Sequence, residues 1–419
     1  MDANTVIRND ARFGSRIMAL ADRLAEWSEM PGGLTCTYFT PAHRSVAAEI
    51  GRLMREAGLN VHSDAVGNVV GRYAADNPAA RALIVASHYD TVRNAGKYDG
   101  RLGVLTGLLV AEELVRRRAK LPFHLDLVAF SEEEGVRFRS SFLGSSALAG
   151  RFNPSLLERC DEDGRVLADV LREAGLDPAQ IPALALRPDA LAGYLEVHIE
   201  QGPVLLEEGL PLGIVSAIAG SVRCMVSITG AAGHAGTVPM ERRHDAAAAA
   251  AELVLYVERR CRQAPTLVGT VGELAVPNGA VNIIPGRCQL TLDIRAADNA
   301  IRDAAVTDVM GEMRRIAERR GVTIESREVQ RTKAVQCSPR LQAVLADAIT
   351  RAGVAPRRLP SGAGHDAMMF DGVTDLAMLF VRCGNGGVSH SPREIITAED
   401  ADLAVHVLLD AVLHLAEAR

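Results

Sequence analysis

The sequence predicts a two-domain α/β protein: a larger mixed α/β domain with a smaller α+β domain, an antiparallel sheet plus two helices, inserted into it. Three observations predict this. The chain has 419 residues, more than the roughly 250–300 at which one core stops growing. Short apolar runs alternate with helical stretches in its outer parts. Near residue 215 the texture changes to strictly alternating strands around an alanine-rich helix.

The elements follow in order. Phe13, Ile17, Leu20, Leu24 and Trp27 recur at helical steps and give the first helix. Thr40 as N-cap, Pro41 in the first turn and Gly58 as the stop give the second. Residues 82–87 read as a buried strand, 103–118 as a helix, and 123–130 and 194–199 as further strands. Such an alternation places a site at strand ends. Val222, Cys224, Val226 and Ile228 alternate as in a half-exposed strand. A helix over 241–261, strands over 267–274 and 287–295, a helix over 306–319 and a strand over 322–328 complete the inserted unit. The larger pattern resumes with a helix near 341–352, a strand at 376–381 and a last helix from Ala398. The boundaries are therefore 1–214 and 331–419 for the larger domain and 215–330 for the insert.

Composition narrows the function. The formal net charge is -6, with no long run of one sign, which argues against nucleic acid or an anionic membrane as partner. The first residues lack the apolar stretch of a secretory signal, and no run is long enough to span a membrane. The 7 cysteines are scattered without a C-x-x-C, as in a protein with reduced thiols; a cytoplasmic location is expected.

Among the histidines, His43, His62, His124, His406 and His414 sit on ordinary helix or strand patterns and are read as structural. His88 stands directly after a strand, and Asp90 lies on the same side of the extended chain. Asp90 can accept the imidazole N–H and fix its tautomer, as carboxylates behind metal-bound histidines do. Asp99 lies in a glycine-flanked loop before a helix, where a carboxylate can bridge two cations; the segment also reads as a capped turn. Glu132, Glu133 and Glu134 end the next strand and repel one another unless a cation or solvent relieves them. One of them would hold a metal and its neighbour would take a proton from the attacking water; the alternative is a solvated helix start. His198 near a strand end and His390 in a glycine-rich loop are further candidates, with a strand histidine and a plain turn as alternatives. Three imidazoles and two carboxylates form a donor set for zinc or a similar divalent ion, and two ions about 3.5–4 Å apart would share one carboxylate. H-E-x-x-H and G-x-S-x-G are absent from the sequence.

The segments SHYDTVRNAGKYDGRLGV, FSEEEGVRF, HIEQGPVLLEEG, GAAGHAGTVPM, PNGAVNIIPG, LDIRA, SGAGHDAMMF and GGVSHSP run in this order over nearly the whole chain. Together they resemble the hydantoinase/carbamoylase branch of the M20 metallopeptidase-like amidohydrolases. That branch includes N-carbamoyl-L-amino acid hydrolases, β-ureidopropionases and allantoate amidohydrolases. The resemblance implies two divalent ions per subunit, zinc or else manganese, cobalt or nickel. His88, Asp99 and His198 would hold one; Asp99, Glu134 and His390 would hold the other, with Asp99 bridging. It implies Glu133 as general base and His234 as the group that stabilises a developing oxyanion. Gln201 would contact the ureido group. Asn282 and Arg295 would bind the substrate carboxylate, helped by Ser361, Gly362, Gly364 and His365. His198 separates this branch from peptidase relatives, which usually carry an acid at that step. One departure is His244, where the family often has a second arginine after Arg243.

The implied reaction removes the carbamoyl group of an N-carbamoyl-L-amino acid, giving the amino acid, carbon dioxide and ammonia. Allantoate hydrolysis is the close rival, since both substrates carry a ureido group and a carboxylate. A peptidase and a non-catalytic binding protein are further alternatives, disfavoured by His198 and by the intact ligand set with Glu133. A ureido carbonyl is a poor electrophile because two nitrogens donate into it, so polarisation by a cation and a positioned donor suit it. Asp293 and Arg295 share one side of their strand, Leu292 and Ile294 the other. The planar fork of Arg295 suits a carboxylate, and an Arg–Asp surface pair is the alternative. A homodimer through the inserted domain, and a hinge closure that excludes water, are expected from the resemblance.

Overall fold

A computed structural model gives the fold, and residues 12–417 are described. The signal-peptide reading rests mainly on 1–11 and lies outside them. The chain divides into two compact units. The larger takes in residues up to Ser216, Cys337–Leu359 and the stretch from His365; the smaller takes in Ala217–Gln336 and Pro360–Gly364.

The larger unit begins with α1 (Arg12–Ala25) and α2 (Pro41–Glu56). Phe13, Ile17 and Leu24 are the buried stripe of α1. The Thr40 side chain accepts the His43 N–H and caps α2, with Pro41 in its first turn. Next come β1 (Asn60–Ser63), β2 (Val69–Tyr73), β3 (Ala82–His88), α3 (Arg101–Arg117), β4 (His124–Phe130), α4 (Leu143–Leu148), α5 (Leu167–Glu173), β5 (Leu191–Ile199), α6 (Val204–Glu207) and β6 (Leu212–Ile218). The smaller unit carries β7 (Gly220–Thr229), β8 (Gly233–His234), α7 (Ala246–Cys261), β9 (Leu267–Thr270), β10 (Leu274–Ala275), β11 (Ile283–Ile284), β12 (Arg287–Ala296), α8 (Asn299–Arg320), β13 (Thr323–Arg331) and β14 (Val335–Gln336). The chain returns through α9 (Pro339–Arg351), β15 (Arg358–Ser361), β16 (Leu376–Val381) and α10 (Ala398–Glu417).

In the larger unit the strands run in the order β1-β2-β4-β3-β5-β16-β6. The four central strands β4, β3, β5 and β16 are parallel. Every residue of β3 and β4 is buried, as expected for strands covered on both faces. Helix α3 lies close against the sheet: a Cβ on Gly103 would come within 2.0 Å of the Val197 carbonyl oxygen. Asp402 of α10 accepts the Phe13 N–H at 2.9 Å and the Gly14 N–H at 3.1 Å, which satisfies the start of α1. Because the central strands are parallel, their C-terminal ends emerge along one edge, where open α/β sheets bind ligands.

In the smaller unit β7 lies between β12 and β13, and β9 and β10 both pair with β12. On β7, Val222, Cys224, Val226 and Ile228 are buried while Arg223 and Met225 are exposed. Their core is completed by α7 and α8, through Leu253, Val257, Val309 and Ile316 among others.

Four differences from the sequence reading stand out. The strand read over 267–274 is two pieces, which pair with β12 in registers one residue apart, so the strand bulges around Gly272. The β1–β2 hairpin was not legible, being short and at the sheet edge. The stretch 331–336 belongs to the smaller unit, because β14 pairs with the end of β6. Pro360–Gly364 joins that unit as well, where the Ala219 N–H donates to the Ser361 carbonyl at 2.9 Å. Among the described residues no helix is long and apolar enough to cross a membrane.

Candidate metal centre

The centre lies in the larger unit at the C-terminal ends of the parallel strands. His88 is the last residue of β3 and His198 the next to last of β5. The run 131–134 follows β4, and the loop with His390 follows β16. Asp99 lies in the loop before α3. Gly100 holds φ +65° there, and a Cβ on it would come within 2.4 Å of the His88 ring, so only glycine lets the loop approach the imidazole.

The donor atoms converge. Asp99 Oδ1 lies 3.5 Å from His88 Nε2 and 3.1 Å from His198 Nε2, and the two Nε2 atoms lie 3.5 Å apart. The far nitrogen of each ring is already engaged. His198 Nδ1 donates to the Ile199 carbonyl at 2.9 Å. His88 Nδ1 lies 3.2 Å from the Asp90 carbonyl and 3.3 Å from its carboxylate. Both Nε2 lone pairs therefore face the same carboxylate oxygen, with the Gly100 N–H at 3.2 Å from His198 Nε2. The other Asp99 oxygen, Oδ2, lies 3.2 Å from His390 Nε2, which is 3.6 Å from Glu134 Oε1. Ligand atoms of three groups each fall within 4.8 Å of one another: His88, Asp99 and His198; His88, Glu133 and Glu134; Asp99, Glu134 and His390.

Asp90 organises the acidic run. Its two oxygens accept the Glu133 N–H at 3.0 Å and the Glu134 N–H at 3.1 Å. Three adjacent acids at this strand end are thus folded into the protein, with Glu132 fully buried, rather than starting a solvated helix. His43, read as structural, supports the same run: its Nε2 lies 2.7 Å from the Ser131 carbonyl, and burial lowers its pKa to about 4.

Electrostatics fit a cation. Burial opposes charge on Asp99, yet the His198, His390 and His88 rings around it hold its carboxyl well below the usual range. His390 is raised to about 9, chiefly by Asp99. Burial and the Asp99 charge push Glu134 up to about 7. Burial also pushes Glu133 well above the usual range, with His88 opposing and Glu134, Asp366 and Asp90 adding. Glu134 Oε1 is buried without a hydrogen-bond partner. Opposed lone pairs, clustered carboxylates and an orphaned carboxylate oxygen are what a divalent cation relieves, and the nitrogen and oxygen donors suit zinc or a similar ion.

The other site candidates fall into separate places. Gln201 lies at the centre, where its Nε2 donates to Asp99 Oδ2 at 2.8 Å and lies 3.3 Å from His390 Nε2; its φ of 56° marks a strained backbone there. His365 is buried edge-on against His198, with ring centroids 4.5 Å apart. Burial, reinforced by His198, holds His365 well below the usual histidine range. The rest belong to the smaller unit. His234 and Asn282 are brought together by the β8–β11 ladder, and the Ala235 N–H donates to the Asn282 carbonyl at 2.9 Å. His234 Nδ1 accepts the Gly236 N–H at 3.0 Å, which leaves Nε2–H on the exposed ring as an outward donor. The Arg295 fork is engaged by Asp293, with both bonds at 2.8 Å, and its Nη1 donates to the Gly362 carbonyl at 2.9 Å. The Arg–Asp pairing weighed from the sequence is thus present. Ser361 Oγ lies 3.0 Å from the Ala363 carbonyl, and Gly364 adjoins it in the same loop.

Sequence reasoning missed three supports. Glu394 and Ser389 contact the Asp99 loop. Glu196, behind His198, accepts from the Tyr194 hydroxyl at 2.8 Å and the Ala367 N–H at 3.1 Å. Nothing in the residue pattern separates these from ordinary polar positions.

Comparisons with known proteins give the family and the fold. Residues 84–414 match peptidase family M20/M25/M40. The chain is 40% identical over 405 residues to an N-carbamoyl-L-amino acid amidohydrolase of Geobacillus stearothermophilus, covering 96% of this chain and 99% of the relative. It is 39% identical over 408 residues to allantoate deiminase 2 of Glycine max, covering 90% and 84%. An amidase of the hydantoinase/carbamoylase family from Burkholderia multivorans has the same fold in its crystal structure, with TM-score 0.90, 32% identity and coverage of 96% and 98%.

Proposed function

Since this chain belongs to peptidase family M20/M25/M40, we propose that it is a metal-dependent amidohydrolase acting on a non-peptide C–N bond, the ureido bond of an N-carbamoyl-L-amino acid. The observation that carries this reading is the convergence of His88, His198, His390, Asp99 and Glu134 with Glu133 beside them. A ureide such as allantoate is the second reading, favoured by the 39% identity to an allantoate deiminase.

His88, Asp99 and His198 would hold one divalent ion, and Asp99, Glu134 and His390 a second. Bound there, such ions act as Lewis acids toward the ureido carbonyl and lower the pKa of water. Glu133 takes the proton of the attacking water. A carboxylate whose proton affinity is raised by burial is suited to hold that proton and pass it on. The water oxygen bonds to the ureido carbon, and the bond from that carbon to the amino acid nitrogen breaks. The proton held by Glu133 goes to that nitrogen, and the carbamate released falls to carbon dioxide and ammonia. Gln201 orients the ureido group, and His234, through Nε2–H, serves the oxyanion. Asn282, Arg295, Ser361, Gly362, Gly364 and His365 are assigned to the substrate carboxylate and its surroundings. The enzyme is assigned as a homodimer through its smaller unit, and its free cysteines fit a reducing compartment such as the cytoplasm.

The test is ammonia release by manganese- or zinc-loaded protein from N-carbamoyl-L-methionine, β-ureidopropionate and allantoate, with a dipeptide assayed alongside for cleavage. Turnover of one ureido substrate supports the class and identifies the substrate; cleavage of the dipeptide alone refutes it. Glu133→Gln should keep its metal and lose about 10²–10⁴-fold in kcat; full activity would remove Glu133 from the mechanism.

A further inference from the structure

We propose that Glu394, acting through Ser389 and the main chain of Asp99, is the positioning residue that fixes the Asp99–Glu134–His390 half of the centre. This rests on the metal-centre reading above.

Glu394 lies in the loop between β16 and α10 and is buried. One oxygen, Oε1, accepts the Tyr98 N–H at 2.8 Å and the Asp99 N–H at 3.1 Å. The other lies 2.9 Å from Ser389 Oγ, which in turn lies 2.6 Å from Asp99 Oδ2. A Cβ on Gly96 would come within 2.3 Å of the Glu394 carboxyl carbon, so the Asp99 loop lies directly on this group. Among the described residues no arginine or lysine forms an ion pair with Glu394. Its polar atoms are committed to the two loops that carry Asp99 and His390.

The arrangement is asymmetric. Asp99 Oδ1 faces His88 and His198, whereas Oδ2 faces His390 and is the oxygen that Ser389 touches. Glu394 therefore acts on the oxygen that belongs to the second cluster. Groups behind metal ligands typically change metal affinity 10–100-fold when lost.

The experiment is a Mn²⁺ titration of the full chain, with free ion followed by electron paramagnetic resonance. Wild type should bind two equivalents. Glu394→Ala should weaken the second equivalent about 10–100-fold and leave the first within about threefold. Ser389→Ala should act in the same direction, and it decides the matter if Glu394→Ala fails to fold. Glu394→Gln should restore binding to within about threefold of wild type. Its amide oxygen accepts the same two N–H groups and its NH₂ donates to Ser389, whose hydrogen then goes to Asp99. Asp402→Asn, which alters a comparable buried carboxylate capping α1, should lower stability and keep both equivalents.

Wild-type binding in both Glu394→Ala and Ser389→Ala overturns the proposal. So does equal weakening of both equivalents, or a Glu394→Gln variant as weak as Glu394→Ala. A folded wild type that takes up no Mn²⁺ overturns the metal-centre reading itself, and this inference with it.

Discussion

Asp90→Asn offers a sharp test of how the centre is built. The Asp90 carboxylate is buried and spends one oxygen on the Glu133 N–H and the other on the Glu134 N–H, at 3.0 and 3.1 Å. Asparagine has nearly the same shape but only one acceptor oxygen. Its NH₂ must face one of these amides, donor against donor. One charge-assisted hydrogen bond, roughly 1.5–3 kcal/mol, is lost, and a buried N–H is left unmatched at about 1–3 kcal/mol. These overlap, so we expect a loss of about 3 kcal/mol in the larger unit. The assay is urea unfolding of the metal-free protein followed by tryptophan fluorescence. The chain has 1 tryptophan, Trp27, which packs on the core of the larger unit, so the signal reports that unit alone. Because the amide of either Glu133 or Glu134 comes loose, Mn²⁺ affinity should also fall about 10–100-fold. A variant within about 0.5 kcal/mol of wild type, with unchanged Mn²⁺ affinity, would refute the role given to Asp90.

Other expectations concern pH, backbone and substrate. Glu134 is raised from 4.5 to about 7 and His390 from 6.5 to about 9 in the metal-free protein. Each raised group stabilises the fold fully below its unfolded value, and that contribution is lost as pH rises through the folded one. Ions need both groups deprotonated, so affinity for the second Mn²⁺ should climb from pH 6 to about 9 with proton release; a flat profile would contradict the ligand assignment. Gly100→Ala should cost more than about 1 kcal/mol, from the positive φ and the contact with the His88 ring, and should weaken the first Mn²⁺; an unchanged urea midpoint and titration would refute this. Arg295→Lys loses the planar fork and should raise KM for the ureido substrate about tenfold or more, with kcat little changed. An unchanged KM would leave Arg295 as the partner of Asp293 only.

The sequence carried more of the site than of its support. His88, His198 and the acidic run were legible because each directly follows or ends an apolar run, and strand ends are where side chains leave a sheet. Asp99 and His390 were legible through glycine-rich surroundings, although either loop alone also reads as a turn. Glu394 and Ser389 gave no signal, since their work depends on a loop 295 and 290 residues away in the chain. Arg295 shows the limit of a strand pattern. Alternation put Asp293 and Arg295 on one side, but only geometry shows the fork engaged by its neighbour. Most long helices and the fully buried strands were readable within a few residues, but α7 and α8, read from 241 and 306, begin at Ala246 and Asn299. The strands β1, β2, β14 and β15 were not legible, because strands of two to five residues carry too little periodicity.

The way the larger unit is split along the chain has a consequence for its biosynthesis. Asp402 meets Phe13 across 389 residues, and β5, paired with β3 on one side, finds its second parallel neighbour only when β16 has been made. Until then the ribosome holds a half-sheet with an open edge, beside a smaller unit whose main stretch, Ala217–Gln336, is already complete. Open edges of this kind recruit the wrong partners. Nascent chains stalled before residue 376 should therefore engage chaperones or aggregate, and none of them can acquire the full ligand set.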